Sequence, residues 1–564
     1  MTETARTNQS IDPITLSVIW GGFVSIGEEM GTTLRQTAFS DAVREGDDFS
    51  TAIFDRQGRM LAQGNFTPGH LGSMPHVVRS VMEYFPADTL NPGDAILVND
   101  SAIGSGHYPD CFIVMPVWFE DHIVGYATDI CHHADMGGAV PGSQAIMGVT
   151  EAYQEGLRIL PVKIMRDGEF CEDIMRIILG NVRVPNKVGG DLRAQANANF
   201  VGSQRLIRMY EQYGEDVMEM AIEEILDRSE QRIRELIRQM PEGVYEYEDF
   251  FDDSGPGTEP IRVHVEMEIK DGDITADFSK SSDQVPAGMN CYATFTQCWL
   301  YFIVKAYTDA LLPQNDGVIR AMKMRGREGS VFNPVYPAPS GGRAVAQIRI
   351  YEAMNGILAK LLPDRAMAAF SHWTNIQMGG IDDRTGEPFI LYDVVFAGYG
   401  GQAMKDGVEA MSPVMNCPNI PVEVHEAHNP VLIHRVEFIP DSAGPGKFRG
   451  GCGLRKDIEL RTDSAVLNLL GDRHKFEPYG LNGGGSGKLA ETILNPDGEM
   501  QRLSSKERRD LKRGDVVSVW LSGAGGFGSV AERDPAAIER DIAEGYITLE
   551  GARERYGYTR EAAE

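Results

Sequence analysis

The segment spanning residues 99–138 constrains the fold of this chain more than any other stretch. It contains two apolar runs, 111–119 and 123–130, in which β-branched and aromatic side chains recur. Runs of this kind predict β-strands, and the polar pair Glu120 and Asp121 between them predicts a turn. We therefore expect a hairpin, whose two open ends lie side by side.

Histidine and aspartate residues stand at both open ends of this predicted hairpin. His107 and Asp110 lie at the start of the first strand, and His132, His133 and Asp135 follow the second. Strand pairing would bring these imidazole and carboxylate groups together at one end of a rigid scaffold. First-row divalent metals prefer nitrogen and oxygen ligands of this type. The pattern therefore predicts a metal site.

A second interpretation of these histidines stays open on the sequence alone. Clustered histidines also occur as ordinary surface or core residues, and the segment has neither zinc-finger spacing nor an HExxH motif. His122 is the weakest candidate ligand, because the hairpin places it in the turn at the far end.

Composition excludes several classes of protein. The chain has 564 residues, of which 42% are hydrophobic and 24% charged, as is typical of a soluble globular protein with two or three domains. Its net charge of −29 argues against nucleic-acid binding. The apolar runs are too short to span a membrane, and residues 1–12 lack a signal-peptide pattern. The seven dispersed cysteines indicate free thiols and a cytoplasmic location.

The sequence before the hairpin indicates a long helix, followed by a strand that acidic residues directly precede. Apolar residues at helical spacing predict a helix over 12–39 that is capped by Asp12. The acidic residues Glu45, Asp47 and Asp48 come directly before a predicted strand at 49–54. Acidic clusters of this kind are most often solvated loops.

The same patterns predict the remaining elements. They are a helix that follows residues 69–76, two helices within 191–240 that break at 213–214, strands at 245–251, 261–269 and 275–278, a buried helix at 292–311, a helix that ends at 362, and β-structure with glycine-rich turns from residue 423. The turn Ser340–Arg343 precedes a helix and could hold an anion, but it lacks the Lys-Ser/Thr pair of a nucleotide-binding loop.

These elements define an α+β fold that is mixed and multi-domain, with an N-terminal metal-binding α/β part, central helices and a β-rich C-terminal half. The expected divisions are a disordered N-terminus at 1–12, a metal-binding α/β domain with a helical segment at 13–240, a mixed α/β domain at 241–422, a β-rich domain at 423–533 and a helical tail at 534–564.

Several motifs together resemble the hydantoinase B/oxoprolinase family. They are REGDDFSTAIFD, HLGSMP, NDSAIGSGHYPD, DICHHADMGG, ILGNVRVPNKVGGDLRAQ, NPVYPAPSGGR, PDSAGPGKFRGGCGL and GAGGFG, and the resemblance extends over residues 12–560. The family includes B subunits of ATP-dependent N-methylhydantoinases, caprolactamase, the C-terminal half of 5-oxoprolinase and the related large subunits of acetone and acetophenone carboxylases.

The resemblance implies a set of site residues. The divalent metal, Zn or Mn with Fe as a further option, is expected on His107, Asp110, His132 and Asp48. Asp47 stands beside Asp48, so the register is open by one residue, and Asp41 is a weaker candidate. His133 and Asp135 are then expected to orient a ligand or relay a proton. Cys111 and Cys131, next to ligands in the strands, should point to the opposite face.

The resemblance also implies a reaction and a partner. The chain is expected to be the metal-binding catalytic subunit of an ATP-dependent hydrolase of cyclic amides such as hydantoins, oxoproline or lactams. A separate A-type ATPase subunit would use the ATP, in a hetero-oligomer with two or more copies of each subunit. ATP-dependent ketone carboxylation stays open as an alternative, because the sequence departs from the usual hydrolase pattern at 371–373 and 425–429. A non-catalytic scaffold subunit is the third alternative.

Overall fold

Helix α1 (Pro13–Thr37) is the first element of the computed structural model, which describes residues 11–559. Asp12 caps it, because the backbone N–H of Thr15 donates to Asp12 Oδ2 at 2.8 Å, and Pro13 occupies the first turn. The long helix predicted from the apolar spacing is confirmed. The predicted N-terminal disorder falls almost entirely on residues 1–10, which lie outside the described part of the chain.

The predicted hairpin forms the middle of a seven-stranded sheet with the order β2-β1-β5-β4-β3-β6-β7. Its strands are β1 (Phe49–Asp55), β2 (Met60–Gln63), β3 (Ala95–Val98), β4 (Asp110–Phe119), β5 (His122–His132), β6 (Val162–Arg166) and β7 (Glu169–Phe170). β4 and β5 are antiparallel, and their register places Asp110 opposite His132. The hairpin and the strand predicted at 49–54 are confirmed.

Helices cover both faces of this sheet. They are α2 (Asp41–Arg44), α3 (Pro68–Tyr84), α4 (Glu172–Leu179), α5 (Pro185–Tyr213) and α6 (Glu215–Ile237). Phe112 and Ile130 pack on the face that contacts α3, whereas Cys111 and Cys131 pack with α5. The two cysteines therefore point away from the face of Asp110 and His132, as predicted. The break between α5 and α6 falls at Gly214, which has a φ of 78°.

A second, four-stranded sheet follows these helices. It contains β8 (Gly243–Phe251), β9 (Ile261–Lys270), β10 (Asp273–Asp277) and β11 (Met322–Arg325), and it packs with α7 (Ala293–Tyr307), α8 (Asp316–Ile319) and α9 (Ala346–Leu361). The three predicted strands and both predicted helices of this region are present. The sequence patterns did not indicate β11, which pairs in parallel with β10.

The last two sheets share the C-terminal half of the chain. Their strands are β12 (Thr374–Asp382), β13 (Glu387–Val395), β14 (Val431–Ile439), β15 (Gly453–Leu460), β16 (Ser464–Leu470), β17 (Glu491–Leu494), β18 (Gln501–Leu503), β19 (Lys506–Lys512) and β20 (Val516–Trp520). The third sheet has the order β13-β12-β16-β19 and the fourth β14-β15-β20-β17-β18. Strand pairing in the third sheet thus crosses the expected boundary at residues 422 and 423.

Three short helices complete this half: α10 (Val422–His428), α11 (Pro535–Glu544) and α12 (Leu549–Tyr556). α10 corrects the prediction of β-structure directly from residue 423, because the chain makes two helical turns after Pro421 before β14 begins. The tail helices end at Gly545 and Gly557, both in the left-handed conformation that favours glycine, and they confirm that the tail is helical. None of the helices within residues 11–559 is long and apolar enough to cross a membrane.

Candidate metal centre

The open end of the β4–β5 hairpin carries a buried group of three possible metal ligands. Asp110 is the first residue of β4 and His132 the last residue of β5, so strand pairing sets them side by side. His107 reaches the same point from the preceding loop. One ligand atom from each of the three residues lies within 4.8 Å of the others. The convergence predicted from the hairpin is therefore present in the structure.

Asp110 directs one carboxylate oxygen at both imidazoles. Its Oδ1 lies 2.8 Å from His107 Nε2 and 2.9 Å from His132 Nδ1. Its Oδ2 instead accepts hydrogen bonds from Ser105 Oγ and Arg343 Nη2. Burial raises the pKa of Asp110, yet the surrounding positive charge, to which Arg343 contributes, holds that pKa well below its usual range. The carboxylate is ionised, and its Oδ1 faces the two imidazoles.

The contacts of His107 provide a test of whether a metal fits. Its Nδ1 lies 3.0 Å from the Gly341 carbonyl, which can only accept, so this nitrogen carries the proton. Burial, together with the charge of Arg343, lowers the pKa of His107 to about 4, so the ring is neutral at pH 7. The lone pair of Nε2 then faces Asp110 Oδ1 at 2.8 Å. Two acceptors in contact fit a divalent cation placed between them.

Asp48 lies at the edge of this group, and Asp47 does not. Asp48 precedes β1, its backbone carbonyl accepts from His132 N at 3.0 Å, and its Oδ2 accepts from the Tyr392 hydroxyl at 3.0 Å. Asp47 has a φ of 49° and turns outward to an ion pair with Arg35 at 3.3 Å. This geometry favours Asp48 as the fourth ligand.

Asp41 is not brought to the centre. It begins the short helix α2, where its carboxylate lies 3.3 Å from Lys187 Nζ and 2.8 Å from His428 Nδ1. These two partners account for its position between α5 and α10, so the structure gives no support to Asp41 as a ligand.

His133 and Asp135 do not join the group either, although they are its neighbours in sequence. The period-two alternation of β5 continues through His133 and turns its ring to the α5 side, where Nε2 lies 2.9 Å from Gln195 Oε1. Asp135 accepts from the backbone N–H groups of Gly137 and Gly142 and forms a 2.8 Å ion pair with Arg183. These contacts favour roles in holding the strand end and the following loop.

His70 belongs to the site and was missed by the sequence analysis. It lies in the first turn of α3, and its Nε2 is 3.6 Å from Asp48 Oδ1 and 3.5 Å from Asp110 Oδ2. Burial lowers the pKa of His70. The sequence analysis treated residues 69–76 as the approach to a helix, but α3 already begins at Pro68. The available signal was that His70 is the first residue of the HLGSMP motif.

The turn at Ser340 is occupied by a side chain of the chain itself. Glu155 Oε1 accepts from the backbone N–H groups of Ser340 at 2.8 Å and Gly341 at 2.5 Å. Arg343, the last residue of this turn, reaches Asp110. Its Nε donates to the Ser105 carbonyl at 2.6 Å. The predicted anion site is therefore filled by the carboxyl group of Glu155, and Arg343 contacts a candidate metal ligand instead.

The two segments that depart from the usual hydrolase pattern lie outside the group. His372 is buried with its Nε2 3.1 Å from the Val345 carbonyl, and His425 Nε2 lies 3.2 Å from Asp393 Oδ1. Both contacts tie loops or short helices to neighbouring elements. Neither segment supplies a ligand atom to the group formed by His107, Asp110 and His132.

The structure contains a small pocket at the edge of this site and a larger cavity formed by other loops. Asp48 and Tyr392 line a small pocket whose other walls are mostly apolar, formed by Gly46, Val394, Phe396, Met415, Cys417, Pro418 and Ile420. A larger cavity of about 520 Å³ lies between the loops 146–150, 254–261 and 282–287. The lining of this larger cavity includes none of the predicted ligands.

Comparison with known proteins agrees with the motifs. The profile of the family described as hydantoinase B/oxoprolinase matches residues 12–530. A putative D-/L-hydantoinase B subunit of Pseudomonas sp. (strain NS671) is 31% identical over 98% of this chain and 96% of that protein. The crystal structure of ATP-dependent caprolactamase from Pseudomonas jessenii superimposes with a TM-score of 0.90 at 28% identity, covering 98% of this chain and 97% of the other.

A second solved structure shares the fold at lower identity. Nucleotide-free acetone carboxylase superimposes with a TM-score of 0.88 at 20% identity, over 98% of this chain and 80% of that chain. The chain belongs to the hydantoinase B/oxoprolinase family, and its mixed, multi-sheet α+β architecture is that of caprolactamase. The resemblance drawn from the motifs is confirmed.

Proposed function

We propose that this chain is the metal-binding catalytic subunit of an ATP-dependent cyclic-amide hydrolase. The observation that carries the proposal is the buried group of His107, Asp110 and His132, in which a neutral imidazole nitrogen and an ionised carboxylate oxygen face each other. Hydrolysis of hydantoins, oxoproline or lactams is the chemistry of the hydantoinase, 5-oxoprolinase and caprolactamase relatives. The reaction class is carried over from these relatives as part of the proposal.

Two histidines and two aspartates form a mixed nitrogen and oxygen set that suits Zn or Mn, with Fe as a further option. A bound metal of this kind acidifies a water molecule or polarises a carbonyl group. The chain's own residues hold this set in place: Ser105 and Arg343 fix the rotation of Asp110, and the Gly341 carbonyl fixes the tautomer of His107. Asp48 would be the fourth ligand, held by the Tyr392 hydroxyl.

ATP is assigned to a separate A-type ATPase subunit, which would phosphorylate the substrate. Two relatives carry the names of B or beta subunits, and a solved structure is titled an ATP-dependent caprolactamase. The turn best suited to a phosphate group already holds Glu155, and a net charge of −29 disfavours a polyanionic nucleotide. A hetero-oligomer with two or more copies of each subunit, located in the cytoplasm, completes the proposal; the seven free cysteines suit a reducing compartment.

ATP-dependent ketone carboxylation is the second candidate. The acetone carboxylase comparison supports it at the level of the fold alone, because the identity is 20%. The hydantoinase and caprolactamase relatives, each 31% identical, favour hydrolysis. A non-catalytic scaffold subunit fits least well, since a scaffold has no need of converging buried acceptors.

The deciding experiment uses this chain alone and as a complex with the A-type subunit. Phosphate release and product formation would be measured with hydantoins, oxoproline, lactams and ketones, with and without bicarbonate. We expect no ATP hydrolysis by the chain alone and metal-dependent amide hydrolysis by the complex. Bicarbonate-dependent consumption of a ketone would establish the carboxylase instead. ATP hydrolysis by the chain free of partner would overturn the division between subunits.

A further inference from the structure

Gln144 connects the metal centre to a distant part of the chain. It lies in the loop that follows β5, is 2% exposed, and places its side-chain amide 2.8 Å from His132 Nε2. This is the ring nitrogen that does not face Asp110. The amide therefore contacts the predicted ligand on the side opposite the centre, where the partner of an imidazole decides which of its two nitrogens carries the proton.

The other contacts of Gln144 come from the third sheet. Asn375 Nδ2 and Gln377 Nε2, both on β12, donate to Gln144 Oε1 at 3.0 Å each. Asn468 on β16 donates to the Gln144 backbone carbonyl at 2.8 Å and stands opposite Gln377 in the strand register. We call Asn375, Gln377 and Asn468 the amide ladder. Burying an amide side chain costs free energy unless the amide is hydrogen-bonded. Three buried amides that converge on one residue therefore indicate that its position matters.

We propose that Gln144 is a positioning residue that selects the metal-binding tautomer of His132. The inference rests on the proposed role of His132 as a ligand. A histidine that binds a metal through Nδ1 keeps its proton on Nε2, and that N–H needs an acceptor. An amide side chain presents an acceptor or a donor to the same neighbour, according to which way it is turned.

In the structure the Gln144 NH₂ group faces His132 Nε2. The ring proton then lies on Nδ1 and is donated to Asp110 Oδ1 at 2.9 Å. Binding a cation through Nδ1 moves this proton to Nε2 and turns the Gln144 oxygen toward it. The ring exchanges one tautomer for the other and its proton count is unchanged.

The amide ladder can accommodate the turned amide. After rotation, the Gln144 NH₂ group faces β12 and needs an acceptor there. Asn375 Oδ1 is buried and has no donor among the described residues, so rotation of the Asn375 amide supplies that acceptor. The ladder thus supports either orientation of Gln144, and metal binding at the hairpin is coupled to hydrogen-bond direction in the third sheet.

Two substitutions separate this role from simple packing. Gln144→Leu retains bulk and removes both hydrogen-bonding groups. Gln144→Glu presents only acceptors, to which His132 Nε2–H, Asn375 and Gln377 can all donate without any rotation. We expect Gln144→Leu to weaken Zn²⁺ binding by about 10–100-fold, as is typical when the partner of a ligating histidine is lost. Gln144→Glu should bind Zn²⁺ as tightly as the parent or more tightly.

The measurement is competition for Zn²⁺ between the full chain and a chromogenic chelator, with the visible spectrum of the Co²⁺-loaded protein as a second readout. The spectrum should be retained in Gln144→Glu and altered in Gln144→Leu. Asn199→Leu is the matched control, since it removes a buried amide that bonds the Ile113 carbonyl on the α5 side of the hairpin. Melting temperatures would show how much each substitution destabilises the fold.

Three outcomes can be told apart. Unchanged Zn²⁺ affinity in Gln144→Leu, or weaker binding by Gln144→Glu than by Gln144→Leu, would overturn the role of Gln144 and leave the metal centre in place. A parent chain that binds neither Zn²⁺ nor Co²⁺ would overturn the metal centre, and this inference with it. If Gln144→Leu does not fold, Asn375→Leu tests the ladder one step further away, with an expected loss of a few-fold.

Discussion

The candidate metal centre and a second buried group of charges differ in which atoms are left unpaired. In the centre, an acceptor, His107 Nε2, has no donor among the described residues. The second group, which we call the ion network, links β8, α9 and the third sheet; its members are Asp249, Asp252, Arg349, Glu352, Asp472, Arg473 and Lys506. There the unpaired atoms within the described chain are donors, Arg349 Nη2 and Arg473 Nε.

The contrast shows that burial of carboxylates does not by itself indicate a metal site. Asp472 is as buried as Asp110, yet Lys506 donates to its Oδ1 at 3.0 Å and Arg349 to its Oδ2 at 2.7 Å. Both oxygens of Asp472 therefore already accept from a cationic side chain. At the hairpin, Ser105 and Arg343 both donate to Asp110 Oδ2, and Oδ1 faces two imidazoles, each of which can present a lone pair instead of a proton. The distribution of donors distinguishes a ligand set from an internal ion pair.

The largest effect is expected from removing a ligand. His107→Ala, Asp110→Ala and His132→Ala should each reduce bound metal and product formation to background, because each removes one of three converging ligand atoms. Elemental analysis of the purified protein and turnover of the complex would measure this. His122→Ala is the matched control, since His122 lies at the exposed turn of the same hairpin. Full metal content and activity in His107→Ala would exclude this site.

Breaking the ion network should affect stability and leave metal binding intact. Arg349→Met leaves Asp472 partly uncompensated in the interior and should lower the free energy of unfolding by about 3–5 kcal/mol. Arg176→Met removes an exposed pair with Asp173 and should cost about 0–1 kcal/mol. Denaturant unfolding measures both. Loss of Zn²⁺ affinity in folded Arg349→Met protein would contradict the distinction between the two regions.

Substitutions of two neighbouring aspartates test which of them is the fourth ligand. Asp48→Asn should weaken metal binding by about 10–100-fold, the range found when a group close to a metal is altered. Asp47→Asn should change it little, because that side chain faces Arg35 at the surface. Chelator competition on the two variants gives the answer. If the effects are reversed, Asp47 is the ligand.

Glu155 is an intermediate case, a buried carboxylate with two backbone donors and no cation. Burial raises the pKa of Glu155 from 4.5 to about 8. Since the unfolded chain releases this proton near pH 4.5, stability should fall as pH rises from about 4.5 to 8 and then level off. Glu155→Gln should flatten that part of the profile of melting temperature against pH. An equally steep profile in the variant would show that the pKa of Glu155 is not raised in the folded protein.

The local part of the centre could be predicted from sequence. Alternation fixed the two strands, and antiparallel pairing then required Asp110 and His132 to meet. The alternation of side chains along β5, continued by one residue, places the His133 ring on the α5 face. Proximity in sequence was a poor guide for Asp135, because nearby backbone N–H groups bind its carboxylate before it can reach the centre.

The remainder depends on packing between distant segments, which periodicity does not describe. His70 is placed by the docking of α3 on the sheet, and Tyr392 and Gln377 by the approach of the third sheet. No local pattern states which helix covers which strand. The division into domains proposed from the predicted elements stays a prediction. The pairing of β12 with β16 shows how far apart in sequence neighbouring strands can lie.

The reach of Arg343 to Asp110 has a consequence for biosynthesis. The hairpin leaves the ribosome more than two hundred residues before Arg343, and Tyr392 and Asn468 follow later still. During that interval Asp110 has no guanidinium partner and Gln144 has no amide ladder. The set of groups proposed to hold a metal is therefore incomplete until most of the chain has been translated, and any metal acquired earlier would be bound by a smaller and looser set.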